Sequence, residues 1–330
     1  MNRRWARTVT LAVVMALGSL MLPTGAQQKP RVAFIPQIVG IPYFNAMEAG
    51  GTDAAARFGV RFIYQGPTTT SPTDQLRIFD SLVQQKVEAI SISVLDPTSI
   101  NPAIAQARKA GLHVFTSDSD APSSEREAYV AQALDQDLGY AIIDGMASRI
   151  GGQGEIGVVS GEPTANNLNT WIKFMKERVA QKYPRIKIAT IRYAGGEASK
   201  AFQLATEEMT AFPAIKGLIA VASTTCPGVG QAIEKAHKIG KVVGTGYCSP
   251  NTARSFIKSG AMPFTVLWDP IQLGYLTVWA GAQLIRGQAF HEENTVPGMS
   301  HPVRYFADTR TLLLGPPTVF TKANVDRYNF

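Results

Sequence analysis

Gln37, Phe44, Asp118 and Asp120 lie in two short segments, Arg31-Val-Ala-Phe-Ile-Pro-Gln-Ile-Val-Gly-Ile-Pro-Tyr-Phe44 and His113-Val-Phe-Thr-Ser-Asp-Ser-Asp120. In each, an apolar run of the kind that forms a buried parallel strand gives way to a loop of polar and aromatic side chains. Carboxylates accept hydrogen bonds, a primary amide both donates and accepts them, and a flat ring covers apolar surface. Loops of that make-up hold ligands.

Covalent chemistry finds less support in the chain. Gly152-Gln-Gly154-Glu-Ile-Gly157 matches the dinucleotide fingerprint by letters, but it leads into a strand instead of following one and reads as a turn. No Gly-x4-Gly-Lys-Ser/Thr phosphate loop occurs, and Gly157-Val-Val-Ser160-Gly161 has the wrong spacing for a nucleophile elbow. The histidines, at 113, 237, 291 and 301, form no metal pair and adjoin no nucleophile. His113, in an apolar strand, reads as a hydrogen-bonded core residue. The expectation is a binding protein, not an enzyme, without metal or cofactor.

The elements that must carry these loops alternate. Val32 to Ile35, Val60 to Tyr64, Ala89 to Val94 and His113 to Thr116 read as strands, with helices over Pro42–Phe58, Ser71–Gln85 and Ser99–Ala110 between them. After Tyr129-Val-Ala-Gln-Ala133 the rhythm repeats. Helices are expected over 135–150, 167–182, 199–212, 228–238 and 251–258, and strands over 155–160, 187–193, 217–221, 242–245 and 264–267. This is the pattern of right-handed crossover units on parallel sheets. Two such open sheets leave a cleft, and ligands sit at the carboxyl ends of their strands. The singled-out polar clusters fall at such ends.

Composition sets the frame. The 330 residues are 45% hydrophobic and 17% charged, as in a compact globular protein, and a chain this long favours two domains over one. Met1 to Arg7 carries three arginines and no acid, Thr8 to Leu22 is apolar, and Thr24-Gly25-Ala26 offers small residues for cleavage, so residues 1–26 read as an export signal. The apolar stretch is short of the ~20 residues that span a bilayer. Of the formal charge of +7, Arg3, Arg4 and Arg7 supply three, leaving about +4 scattered over the mature chain, which does not indicate a nucleic-acid partner. Cys226 and Cys248 each follow an expected strand, and an oxidising compartment permits a bridge between them; two buried thiols are the alternative.

Taken in order, several pieces resemble the sugar-type periplasmic substrate-binding proteins of ABC importers, in the branch of the autoinducer-2-binding and rhamnose-binding proteins. They are Ala33-Phe-Ile-Pro36 with Tyr43-Phe44, Ser117-Asp-Ser-Asp120, Trp171 on the helix after Pro163, Leu267-Trp-Asp269 with Gln272, and Asn324-Val-Asp-Arg-Tyr-Asn-Phe330. The resemblance implies an α/β type I periplasmic binding fold of two doubly wound lobes. Residues 27–131 and 267–303 would form the N-terminal lobe and 132–266 with 304–330 the C-terminal lobe. Three hinge crossings are expected near Ala131, near Leu267 and around His301 to Ala307. It further implies a monomer in the periplasm that closes on a small ligand, delivers it to an inner-membrane permease and is open to reading by a chemoreceptor or sensor kinase.

Carried over residue by residue, the resemblance makes Asp118 a hydroxyl-binding aspartate. It places Gln37 where the autoinducer-2 binder has a lysine, Asn167 where it has an aspartate and Leu168 where it has a glutamine. Val221 and Ser223 fall at backbone contacts, Trp268, Asp269 and Gln272 on a hinge-side segment, and Phe44 at a stacking face. Losing a lysine, a carboxylate and an amide from one pocket favours a neutral pentose, deoxyhexose or polyol over autoinducer-2. An extracytoplasmic hydrolase is the other alternative, with Asp118 and Asp269 as its carboxylate pair.

Overall fold

The computed structural model describes residues 28–330; the export signal expected over residues 1–26 lies outside them. Along β1 (Arg31–Ile35) the side chains alternate between two cores. Val32 and Phe34 join the cluster toward α1 (Pro42–Phe58), while Ala33 and Ile35 join Phe79, Leu82 and Ile104 on the other face. A strand buried on both faces must be covered by helices on both, and that is the doubly wound arrangement. β2 (Arg61–Tyr64), α2 (Pro72–Gln84), β3 (Ala89–Ile92), α3 (Pro97–Lys109) and β4 (His113–Ser117) complete the first run, and β5 (Tyr129–Ala131) leads out of it. Helix α3 starts earlier than its apolar pattern suggests, because Asp96 caps the amides of Thr98 and Ser99 and Pro97 suits the first turn.

The second run is α4 (Asp135–Ile150), β6 (Gly154–Ser160), α5 (Asn166–Lys182), β7 (Ile186–Tyr193), α6 (Ala198–Ala211), β8 (Ile215–Ala220), α7 (Cys226–Lys235), β9 (Val243–Gly246), α8 (Pro250–Ser259) and β10 (Phe264–Leu267). Its strands form a parallel sheet in the order β7-β6-β8-β9, beside which β10 pairs antiparallel with β14 (Thr318–Thr321).

Beyond Leu267 the sequence pattern is silent and the fold is not. Helix α9 (Pro270–Ile285) is apolar all round and returns to the first lobe against α1. Their backbones nearly touch: a Cβ at Gly50 would lie 1.8 Å from the carbonyl oxygen of Ile271, and one at Gly274 1.9 Å from that of Met47. The strands β11 (Glu293–Asn294), β12 (Val303–Phe306) and β13 (Thr311–Leu313) then extend the first sheet to the order β11-β12-β13-β5-β4-β3-β1-β2.

This placement corrects one expectation. Residues 303–313 pair with the first sheet, where Val303 and Leu312 are fully buried, so the third crossing is the segment between β13 and β14 and not His301 to Ala307. β5 ends at Ala131 and β10 at Leu267, each followed by a helix, α4 and α9.

Cys226 and Cys248 are bridged, joining the start of α7 to the loop after β9 across 22 residues of chain. A loop of that size contributes about 3 kcal/mol through the unfolded chain, so urea denaturation of the Cys226→Ser/Cys248→Ser double variant is expected to show a loss of that order.

Burial also pushes the carboxyl of Glu208, on the inner face of α6, up to about 8. A carboxyl raised in the folded state contributes stability that is complete below its unfolded pKa and is lost as pH rises through the folded value. Denaturation curves of Glu208→Gln are therefore expected to lack the wild-type decline between about pH 4.5 and 8.

Candidate functional site

Asp118 follows β4 with its backbone in the left-handed region (φ 69°), which aspartate tolerates better than most residues. Its amide donates to the carbonyl of Val130 (3.1 Å), and the hydroxyl of Tyr129 donates to its carbonyl (3.0 Å). The carboxylate is thus aimed by its own backbone. The hydroxyl of Tyr43 donates to Oδ1 (2.5 Å) and that of Ser93 to Oδ2 (2.6 Å), while the indole nitrogen of Trp268 donates to the Tyr43 oxygen (3.0 Å). Burial raises the Asp118 carboxyl to about 6 against the pull of those two hydroxyls, and raises the Tyr43 phenol well above its usual range.

Aromatic rings continue from this chain into the second lobe. Trp268 meets Trp171 edge-on at 5.6 Å between ring centres, and Trp171 packs on Tyr247 at 4.6 Å. The Trp171 nitrogen donates to Asp135 (2.7 Å), whose carboxyl burial raises. The rings form the inner wall of a cavity lined from both lobes.

Seven of the residues singled out from the sequence line that cavity: Gln37, Phe44 and Asp118 from the first lobe, Asn167, Val221 and Ser223 from the second, and Trp268 at a crossing. The Gln37 amide is oriented by donating to the carbonyl of Val94 (3.0 Å). Asp269 and Gln272 lie outside. Asp269 is the cap of α9, accepting from the amides of Ile271 (2.8 Å) and Gln272 (3.1 Å), and is no facing partner for Asp118. Asp120, the other acid of its loop, is spent on a buried pair with Arg126 (2.5 and 2.7 Å) and on the hydroxyl of Thr116 (2.5 Å).

Sequence reasoning passed over Tyr43, Thr70, Glu162, Trp171 and Tyr247 as site residues, although all line the cavity. Thr70, Glu162 and Tyr247 shared one signal: each follows the carboxyl end of a parallel strand, β2, β6 or β9. Thr70 and Glu162 close the mouth, the threonine hydroxyl donating across the cleft to the glutamate, with Gly195 and Gly196 beside them. The lobes are therefore in contact on both sides of the cavity. Its polar groups are hydroxyls, amides and two carboxylates, its apolar walls aromatic, and its shape suits a small uncharged molecule with several hydroxyls and an apolar face.

Comparison with known proteins agrees with this geometry. The D-allose-binding periplasmic protein of Escherichia coli (strain K12) is 27% identical over 273 residues, covering 78% of this chain and 85% of the relative. Among solved structures, a sugar ABC transporter protein from Actinomyces odontolyticus is 31% identical and superposes with a TM-score of 0.74 over 91% of this chain and 98% of its own. An ABC transporter solute binding protein from Clostridium phytofermentas with bound L-rhamnose is 26% identical, with a TM-score of 0.85 over 91% and 98% of the two chains. Residues 32–289 match the periplasmic binding protein domain, and the chain belongs to that family.

Proposed function

We propose that this chain is the periplasmic solute-binding component of an ABC importer that captures a small neutral sugar and delivers it to an inner-membrane permease. The observation that carries the reading is the cleft itself. It is walled by both lobes, its carboxylate Asp118 is pre-aimed by backbone, tyrosine and serine, and its rings offer flat faces to a sugar's C–H side. Relatives described as binding D-allose, D-arabinose and L-rhamnose support a hexose, pentose or deoxyhexose. Gln37 and Asn167 supply neutral amides, which suit an uncharged ligand better than an anion.

Capture works by closure. Ligand contacts made to Asp118 and Gln37 on one side and to Asn167 and Ser223 on the other favour the closed arrangement by whatever affinity the ligand gains there. Bending is confined to three crossings, because between them each lobe is a packed sheet. Specificity follows from polar groups left unpaired when the wrong sugar enters.

Thermal-shift screening against pentoses, hexoses, deoxyhexoses, sugar alcohols and autoinducer-2 is expected to raise the melting temperature with one or more of the neutral sugars. Scattering with that sugar is expected to give a smaller radius of gyration than without it; an empty screen would sink the reading.

Asp118→Asn separates fold from function. In the free protein the raised carboxyl costs stability as pH climbs through about 6, and asparagine tolerates the same left-handed backbone, so the variant should be at least as stable at pH 7.5. Calorimetry should nonetheless show sugar affinity down by about 10- to 100-fold, the range for losing a hydrogen bond to a charged group. Wild-type affinity should likewise fall as pH drops below about 6.

A further inference from the structure

Two polar atoms on the second-lobe wall of the cleft have no partner among the described residues: the hydroxyl oxygen of Tyr247 and Oδ1 of Asn167. Both side chains are buried, with 1% and 7% of their surface exposed. A hydroxyl buried without a partner lowers the stability of the free protein, and a phenylalanine would make the same ring contact with Trp171 without that cost. Packing therefore accounts for the ring of Tyr247 and not for its oxygen. Asp135 does not hold the oxygen either; its carboxylate accepts from the Trp171 nitrogen at 2.7 Å.

The position of Tyr247 is fixed from three sides. Its amide donates to the carbonyl of Ala220 (3.0 Å), its ring rests on Trp171, and the next residue, Cys248, is bonded to Cys226 just beyond the Val221–Thr224 loop. A pre-placed phenol and an amide oxygen, both desolvated before any ligand arrives, are a donor and an acceptor waiting on one wall.

Resting on the sugar-capture reading above, we propose that Tyr247 is a ligand-binding residue that donates to a sugar hydroxyl, and that with Asn167 it forms a hydroxyl-selective subsite on the second lobe. The ligand class this defines is a monosaccharide with free hydroxyls on the face turned to that lobe. One hydroxyl accepts from the phenol, and another donates to the amide oxygen. Deoxygenation on that face is penalised. Deoxygenation or a methyl group on the opposite face, beside Ile38, Ile41 and Phe44, is not.

Titration calorimetry with D-ribose, D-allose, D-arabinose and L-rhamnose on wild type and Tyr247→Phe tests this. The tightest wild-type binder should weaken about tenfold in the variant, while the ligand-free melting temperature stays equal or rises. Monodeoxy analogues of that sugar complete the test. One of them should bind wild type and variant alike, because the hydroxyl it lacks is the one that meets the phenol. An unchanged affinity in Tyr247→Phe, or a loss equal across every monodeoxy analogue, overturns the assignment of Tyr247 while leaving sugar capture standing. If wild type binds none of these four sugars and none of the wider thermal-shift panel, the capture reading falls and the subsite falls with it.

Discussion

The site is organised around a single buried carboxylate. Asp118 sits at a strand end with a left-handed backbone, its oxygens already engaged by Tyr43 and Ser93, and Tyr43 in turn is held by Trp268. A charge in such a place is costly to hold, as its raised pKa records, and the cost is tolerable only because hydroxyls converge on it. The same interaction couples parts distant in sequence: β4, the first turn of α1 and the second crossing meet at one oxygen pair. Moving any of them disturbs the carboxylate, and the carboxylate in turn fixes where the tryptophan ring can lie.

From that point the architecture reads outward. Parallel strands buried on both faces demand helices on both sides, and the loops at their carboxyl ends are left free to vary without disturbing the sheet. Two such sheets facing each other give a cleft whose walls are built from eight or so independent loops, each replaceable in sequence. Ligand preference can thus change by substitution at positions such as 37 and 167 while the layers beneath remain as they are.

Most of the repeating architecture was legible in the residues because its signals are local. α1 and α4 span the expected ranges, each ending in the structure at a left-handed glycine, Gly59 or Gly151, and β10 spans its apolar run. The losses came where the governing contact is remote. Helix α9 is apolar on every face and so carries no one-sided stripe to read, and β13, which anchors β12 to the first sheet, is a three-residue strand whose partner, β5, lies more than a hundred residues earlier. The site divides in the same way. Asp118, Gln37 and Asn167 were found through their place at strand ends and their resemblance to known motifs, whereas Asp269 carries a polar side chain at the right address but spends it on its own helix. Tyr247 was passed over because, in sequence, a tyrosine beside a bridged cysteine looks like core.

The covalent crosslink has a further consequence for how the molecule moves. Cys226 and Cys248 belong to the same lobe, so the bridge spans none of the three crossings and places no limit on the angle through which the halves swing. What it stiffens is the shape of one jaw, at the edge that must fit the cargo. Opening and fit are thereby assigned to separate parts of the chain, and losing the bridge would blur the imprint of that jaw without touching the pivot.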